Sequence, residues 1–168
     1  MTEPDASLEN TTDFDALFRA HYGRLVRALG LACGDVEQAA DAVQEAFVRA
    51  HARWRRIRRY EDPVGWIRRV AVNLLRDERR RSGRKQRAID RLSSRAEAQV
   101  GPPREPDQLD VLLRELPIQQ RTAVVLYYVE GLDVGEVADA MQVAEGTVKS
   151  HLFDARRKLR AVIDPEGG

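Results

Sequence analysis

The sequence predicts an all-α fold, and three observations lead to that prediction. Apolar residues recur at steps of three and four through most of the chain, which places them on one face of a helix. No stretch shows the alternation of apolar and polar residues that is typical of a half-buried strand. A segment over residues 84–106 lacks the apolar period and contains three prolines, so it is predicted to be a flexible linker. We therefore expect two small helical domains joined by this linker.

Bulk composition limits the class of protein. Hydrophobic residues make up 43% and charged residues 33% of 168 residues, which suits a soluble helical protein rather than a disordered one. No apolar run approaches the roughly 18 residues of a membrane span, and the acidic start is not a signal peptide. We therefore expect no membrane insertion and a cytoplasmic location. The single cysteine, Cys33, excludes an internal disulfide and a cysteine-based zinc site.

Charge is distributed unevenly, although the net charge is only +1. Residues 1–48 hold three basic and nine acidic side chains, a net charge of −6. Residues 49–87 hold fifteen basic and four acidic side chains, a net charge of +11. This asymmetry indicates two different surfaces, one for a basic partner and one for a polyanion.

Three long helices are predicted in the first half, after an acidic tail over residues 1–12 that we expect to be disordered. Asp13 is the expected N-cap of the first helix and Asp35 that of the second. Asp62, followed by a proline, predicts the start of the third helix, which we expect to end near Gly83. The residues expected to be buried along the second helix are Val36, Ala40, Val43, Phe47, Ala50 and Trp54.

Arginine dominates the stretch from Arg53 to Arg59 and returns on the third helix. Basic groups interleaved with Tyr60, Trp66 and Asn73 suit melted DNA, because guanidinium groups neutralise phosphate and aromatic faces accept an unstacked base. Two simpler interpretations stay open: Trp66 as a core residue, and the arginines as solubilising groups.

The second half is predicted to contain two leading helices and a helix-turn-helix. The first helix stops at Pro117 and the next runs to about Glu130. Asp133 is the expected N-cap of a short helix that ends near Met141, and a basic helix follows from about Glu145. On that last helix, the predicted buried stripe is Val148, Leu152, Ala155 and Leu159. Such a pair can place its second helix in the DNA major groove, whereas the alternative is a hairpin with merely solvated charges.

Both halves also resemble a known family. GTVKSHLFDARRKLR resembles the recognition helix of the fourth conserved region of bacterial sigma factors, and LPIQQRTAVVLYYVEGLDVGEVADAM resembles the segment before it. DVEQAADAVQEAFVRAHARW resembles the second conserved region of extracytoplasmic-function (ECF) sigma factors. DPVGWIRRVAVNLLRDERRR resembles the part of that region that faces promoter DNA. The resemblance covers about residues 14–83 and 107–163.

The resemblance implies a promoter-specificity subunit of bacterial RNA polymerase, with no catalytic residue, metal or cofactor of its own. Residues 13–83 would be a region 2 helical bundle that binds core polymerase and melts the minus-ten element. Residues 107–163 would be a region 4 helix-turn-helix that docks in the minus-thirty-five major groove. The implied partners are the clamp helices of the largest polymerase subunit, the flap of the second-largest, promoter DNA and an anti-sigma factor.

Site residues follow from the same resemblance. Asp41, Gln44 and Glu45 would face the clamp helices. Residues 56–62 would form the loop that receives a flipped base. The minus-ten contacts would come from Arg58, Arg59, Tyr60, Trp66, Arg69, Asn73 and Arg76. The minus-thirty-five contacts would come from Thr147, Lys149, Ser150, His151, Phe153, Arg156 and Arg157.

Four positions depart from the family pattern. His151 and Asp154 stand where arginine is frequent, and Asp154 would repel phosphate unless it accepts from a cytosine amino group or pairs with a neighbouring cation. Ala144 replaces a common serine cap, at a cost of about 1 kcal/mol. Gln142 replaces the usual glycine of the turn. We expect these changes to affect minus-thirty-five recognition.

Two other functions are compatible with parts of the sequence. A DNA-binding response regulator can end in a similar TVKSH helix, but the N-terminal half lacks the βα alternation of a receiver domain. A metal-dependent nuclease would need converging carboxylates, whereas the acidic residues here are scattered over helix faces.

Overall fold

The computed structural model of the chain describes residues 6–90 and 107–163, with side chains described for residues 13–88 and 107–163. Throughout those residues the regular structure is helical and no strand occurs, which confirms the predicted all-α class. In chain order the helices are α1 (Ala6–Cys33), α2 (Val36–Ala52), α3 (Trp54–Ile57), α4 (Pro63–Asp90), α5 (Gln108–Arg114), α6 (Ile118–Val124), α7 (Val134–Met141) and α8 (Glu145–Ile163). In the same described residues, no helix is long and apolar enough to span a membrane.

The first half packs α2 against both α1 and α4. Gly34, in the left-handed region at φ 76°, ends α1, and Asp35 starts α2 by accepting a hydrogen bond from Gln38 N at 3.0 Å. The predicted N-cap is therefore confirmed. Most of the predicted α2 stripe is buried, but Val36 is 52% exposed because it lies in the first turn of α2, at the edge of the bundle. Ala39 and Ala46 are buried on that face instead.

Two helices are longer than the sequence predicts. α1 begins at Ala6, so Asp13 is an internal residue rather than an N-cap, and residues 6–12 of the predicted disordered tail are helical. Similarly, α4 continues past Gly83 to Asp90, seven residues into the predicted linker. Neither extension contains a proline, and each residue added to an existing helix gains a backbone hydrogen bond without new nucleation. The rest of the predicted tail and linker lies outside the described residues.

The second half packs α6 and α7 against α8. Val148, Leu152 and Ala155 are buried as predicted, and Leu159 is partly buried. The helix that starts at Ile118 changes to a π-helix over Val125–Val129 before Gly131 ends it at φ 70°. This π-helix was not predicted from the sequence, and within it Glu130 N donates to Val125 O at 3.0 Å.

The two halves are in contact with each other along a seam. α1 packs against α6 and the π-helix, and α4 packs against α7. Apolar side chains from both halves, including Leu29, Val72 and Leu75 on one side and Ile118 and Met141 on the other, line a shared cavity. Nothing in the sequence analysis predicts this contact, because each half already accounts for its own apolar stripes.

Candidate nucleic-acid interfaces

Local hydrogen bonds fix the geometry of the helix-turn-helix. Asp133 Oδ1 accepts from Glu136 N at 2.8 Å, and Glu136 Oε2 accepts from Asp133 N at 2.9 Å, which together form a capping box at the start of α7. The predicted Asp133 N-cap is confirmed, and the sequence analysis missed its reciprocal partner Glu136. The turn after α7 places Gln142 in the left-handed region, at φ 54° and ψ 50°. Glycine favours that conformation, so the substitution noted at this position carries backbone strain.

The α8 helix has a buried side and an exposed side. Six of the seven residues predicted to contact the minus-thirty-five element are exposed, and the seventh, His151, is partly exposed. Phe153 is the most prominent of them, because 64% of this large apolar side chain is open to solvent. Asp154 lies 3.6 Å from Arg157, so its carboxylate is paired within the helix. This ion pair is one of the two arrangements expected to limit repulsion of phosphate.

The arginine-rich turn follows a short helix, α3, that is held in place by two buried side chains. Trp54 and Ile57 of α3 are buried, while Arg58, Arg59 and Tyr60 at the turn are exposed. Asp62 then caps α4 by accepting from Gly65 N at 2.8 Å, as predicted.

A Cβ on Gly65 would collide with the Asp62 carboxylate in its present position, so a larger residue would force that side chain to shift.

The predicted DNA-contacting residues of α4 are less open. Trp66 is partly buried against the core, which agrees in part with its simpler interpretation as a core residue. The amide oxygen of Asn73 is enclosed and accepts no hydrogen bond. Such an oxygen lacks compensation for its lost hydration, so a ligand donor would bind it favourably once the groups that enclose it move aside.

Two of the predicted minus-ten arginines bind the second half instead of facing solvent. Arg69 Nη1 lies 3.3 Å from Asp139 Oδ1. Arg76 donates from Nη1 to Met141 O at 3.3 Å and from Nη2 to Gln142 Oε1 at 3.4 Å.

Arg68 of α4 is only 9% exposed, unlike most arginines of the chain. It is buried because α7 covers this part of α4, and the cleft around it also contains the carboxylates of Asp62, Glu136 and Asp139.

The exposed face of α2 carries the residues predicted to bind polymerase. Asp41, Gln44 and Glu45 are all exposed. Glu45 Oε1 forms a 2.8 Å ion pair with Arg49 Nε, so part of its charge is already neutralised. Val48, one turn further along, is 56% exposed and adds an apolar group to this face. The sequence analysis did not include Val48, although its i+4 spacing from Gln44 could have indicated it.

Two groups near the seam have shifted pKa values. Burial raises the pKa of the Cys33 thiol, which donates to Asp35 O at 3.1 Å, so the neutral form is favoured. Burial also lowers the pKa of Arg121, whose Nη2 donates to Arg114 O at 3.2 Å and to Leu116 O at 3.1 Å. Arg121 therefore caps the C-terminal end of α5. Over the described ranges 13–88 and 107–163, no group of three or more His, Cys, Asp or Glu side chains could hold a metal ion.

Family comparisons match both halves of the chain. Residues 17–85 match the family described as Sigma-70 region 2, and residues 107–159 match the family described as Sigma-70, region 4.

Curated relatives match over most of the chain. The chain is 34% identical over 158 residues to the ECF RNA polymerase sigma factor SigM of Mycobacterium tuberculosis, covering 89% of this chain and 76% of that protein. It is 32% identical to SigL of the same species, covering 90% and 89%. It is 30% identical to SigM of Bacillus subtilis, covering 89% and 94%.

Solved structures share the fold. The sigma factor RpoE of Bartonella quintana, in complex with the anti-sigma factor NepR, matches with a TM-score of 0.74 at 21% identity, covering 92% of this chain and 98% of that one. CnrH in complex with the cytosolic domain of CnrY matches with a TM-score of 0.61 at 24% identity, covering 94% and 91%.

Proposed function

Because this chain belongs to the extracytoplasmic-function family of sigma-70 factors, we infer that it binds core RNA polymerase and directs it to specific promoters. It is a transcription initiation factor and not an enzyme. The observation that carries this conclusion is the match to region 2 and region 4 in family order, across most of the chain. Residues 13–83 and 107–163 are the two functional units of this proposal, with the residues between them as the linker. Its place of action would be the cytoplasm, where polymerase works.

Core polymerase binding is assigned to the exposed face of α2. Asp41, Gln44 and Glu45 would meet the basic clamp helices of the largest subunit, and the flap of the second-largest subunit would hold the second half. The acidic balance of the first 48 residues supports attraction to a basic partner. Val48 adds apolar area at the end of this face, which an interface can bury.

Promoter melting is assigned to the arginine-rich turn and α4. Unstacking a base costs a few kcal/mol, so the protein must recover that energy by stacking and hydrogen bonding. Tyr60 and Trp66 supply aromatic faces, Asn73 supplies an acceptor without a partner, and Arg58 and Arg59 supply charge. No catalytic residue is required, because a protein that binds the open strand better than the duplex shifts the melting equilibrium.

Recognition of the minus-thirty-five element is assigned to α8. Its exposed basic residues, including Lys149 and Arg156, would position the helix on phosphates. Phe153 could contact thymine methyl groups, and His151 could donate to a base edge. The pairing of Asp154 with Arg157 leaves less basic charge on this part of α8 than an arginine at position 154 would supply.

Regulation by an anti-sigma factor is part of the proposal. The structural neighbour RpoE is a sigma factor in complex with an anti-sigma factor, and it matches 92% of this chain, so both halves are included.

Co-elution with core polymerase on a sizing column tests the function. The wild-type chain should co-elute, and the double variant Asp41→Arg, Glu45→Arg should bind core more weakly, because it would repel the basic clamp helices. Asp15→Arg together with Glu115→Arg makes the same charge change at two exposed positions outside α2, and should bind normally.

Failure of the wild-type chain to co-elute, with no inhibitor present, would contradict the function. Duplex binding without polymerase would favour the response-regulator alternative, and DNA cleavage would favour a nuclease. Equal core affinity of the Asp41, Glu45 variant and wild type would refute the assigned face alone.

A further inference from the structure

The last part of α4 is strongly basic and open to solvent. Residues 79–87 hold six basic side chains and no acidic one. Every residue from 79 to 88 except Gly83 is exposed. A Cβ added to Gly83 would meet no atom within 4 Å, so no other element covers the helix at this point. We call residues 79–87 the basic end of α4.

A serine hydroxyl lies in the middle of this basic end. Ser82 is exposed, and its Oγ donates to Glu78 Oε1 at 3.3 Å, which is long for a hydrogen bond between two oxygen atoms. Arginines occupy all three positions before Ser82, and two further basic residues follow Gly83. Thr147 and Ser150, the other exposed serine and threonine residues in the described ranges 13–88 and 107–163, have no arginine at their three preceding positions.

Arginines before a serine are the feature that a protein kinase with an acidic substrate groove recognises, because carboxylates of the groove pair with the guanidinium groups. Such a kinase binds its substrate in an extended form, so the helix around Ser82 must open locally. Opening the exposed basic end breaks little packing, and the glycine at position 83 lowers helix stability at the same place. Exposure, charge and low local stability therefore all favour modification at Ser82.

We propose that Ser82 is a phosphorylation site for a serine kinase of this acidic-groove class, and that its phosphate weakens the binding of promoter DNA by α4. In the transfer, Ser82 Oγ forms a bond to the γ-phosphorus of ATP, and the bond from that phosphorus to the oxygen that bridges it to the β-phosphorus breaks. The hydroxyl proton passes to the catalytic aspartate of the kinase, and ADP leaves with the electron pair of the broken bond.

The phosphate acts through its charge. It carries about −1.5 to −2 at pH 7, so the net charge of residues 79–87 falls from +6 to about +4. Arg79 and Lys85 lie one helical turn from Ser82 on either side, and the phosphate attracts them away from DNA. Glu78, also one turn away, loses the hydrogen bond from the hydroxyl and repels the phosphate.

The basic end continues the side of α4 that is assigned to promoter DNA. Arg80 lies four residues beyond Arg76, and Arg84 and Arg87 lie four and seven residues beyond Arg80. This spacing places all four arginines on one side of the helix. Cations on that side neutralise DNA phosphates, so a loss of positive charge there lowers DNA affinity. The effect on DNA rests on the proposed function, whereas the modification itself does not.

The modification is tested without polymerase or DNA. The full chain is incubated with MgATP and the catalytic subunit of cyclic-AMP-dependent protein kinase, which serves as an arginine-directed kinase. Tandem mass spectrometry should find one phosphate, on Ser82, and Ser82→Ala should abolish it. The matched control is Ser93→Ala with Ser94→Ala, because these serines also follow an arginine, although they lie outside the described residues. This control should be phosphorylated like wild type.

The same mass spectrometry is applied to the chain isolated from the cells that naturally produce it, both during growth and in stationary phase. A fraction of the molecules should carry phosphate at Ser82 in at least one of these two states.

The effect on DNA is measured with holoenzyme and promoter fragments. Phosphorylated protein should bind on the order of tenfold more weakly than untreated protein, and the salt slope should fall by about 2, because about two positive charges are neutralised. Arg80→Ala with Arg84→Ala removes two positive charges without a phosphate and should give a similar loss. Kinase-treated Ser82→Ala should bind like untreated wild type.

Absence of phosphate from Ser82, either after treatment with the kinase or in both cell states, would overturn the proposal. So would phosphorylated protein that keeps the promoter affinity and salt slope of untreated protein. Failure of untreated wild type to bind core polymerase would instead count against the proposed function, because the phosphorylation assay requires neither polymerase nor DNA.

Discussion

α4 and α8 are both arginine-rich helices assigned to DNA, yet their basic side chains have different surroundings. On α8 the basic side chains face solvent, and the described ion pair of Arg157 is with Asp154 of the same helix. On α4, Arg69 and Arg76 are engaged by α7, and Arg68 is buried. Two helices of similar composition therefore differ: the basic residues of α8 are open to solvent, whereas Arg68, Arg69 and Arg76 of α4 are buried or bound by α7.

The difference arises from how many neighbours each helix has. α8 packs one stripe against α6 and α7 and leaves the remainder free. α4 packs Ile67 and Ala71 into its own bundle and also places Val72 and Leu75 along the seam. A helix with apolar residues on two sides has little surface left that is not near another element. Basic residues that lie between the two apolar sides therefore contact the neighbouring element.

The largest effect expected on this comparison concerns the buried side of α8. Leu152→Ala should destabilise the protein by about 2–5 kcal/mol, because a side chain that is 1% exposed would leave a cavity. Phe153→Ala, at the adjacent exposed position, should change stability by less than about 0.5 kcal/mol and should weaken DNA binding. Urea unfolding measures the first effect and promoter affinity the second. Equal stability losses would show that α8 is not divided into two faces.

Asn73→Ala tests α4, which packs against α7. We expect promoter opening to fall on the order of tenfold, since the variant loses the acceptor offered to a flipped base. Closed-complex binding should change little. Permanganate reactivity of melted thymines measures opening, and filter binding at low temperature measures the closed complex. A parallel loss in both assays would assign Asn73 a structural role instead.

Lys149→Ala tests α8, whose basic residues are open to solvent. Loss of one phosphate contact should weaken duplex binding severalfold at all sequences and reduce the salt slope by about 1. Salt titrations of holoenzyme affinity measure this slope. A change in base preference at constant slope would indicate readout of bases by Lys149 rather than phosphate contact.

Gln142→Gly should have the smallest effect. Glycine relieves the left-handed strain at φ 54°, which should stabilise the second half by at most about 1 kcal/mol. The substitution also removes one hydrogen bond to Arg76 of α4 and so weakens the contact between the two halves. Thermal unfolding measures the gain, and Gln142→Asn, which tolerates the same backbone and keeps an amide, is the control. A lower melting temperature for the glycine variant would mean that the bond to Arg76 outweighs the strain.

Local features were predictable because their causes lie within a few residues. Asp35, Asp62 and Asp133 each cap a helix that starts at the next residue, and their acceptors reach amides three residues on. The α8 stripe follows from the helical period alone. The proposed α2 and α8 sites are exposed because they lie on the helix faces that the buried stripes leave open. Helix ends were less predictable where no proline or glycine turn marks them, as at Ala6 and Asp90.

The sequence by itself determined the helices, their buried stripes and the family to which the chain belongs, because these depend on periodicity, capping and motifs. Tertiary structure alone decided that Arg69 and Arg76 meet α7, that Arg68 is buried and that Glu130 pairs with Arg24. The physical reason is separation: Arg24 and Glu130 are 106 residues apart, and no local pattern specifies which distant carboxylate an arginine will find. Only packing of the two halves brings those charges within 4 Å.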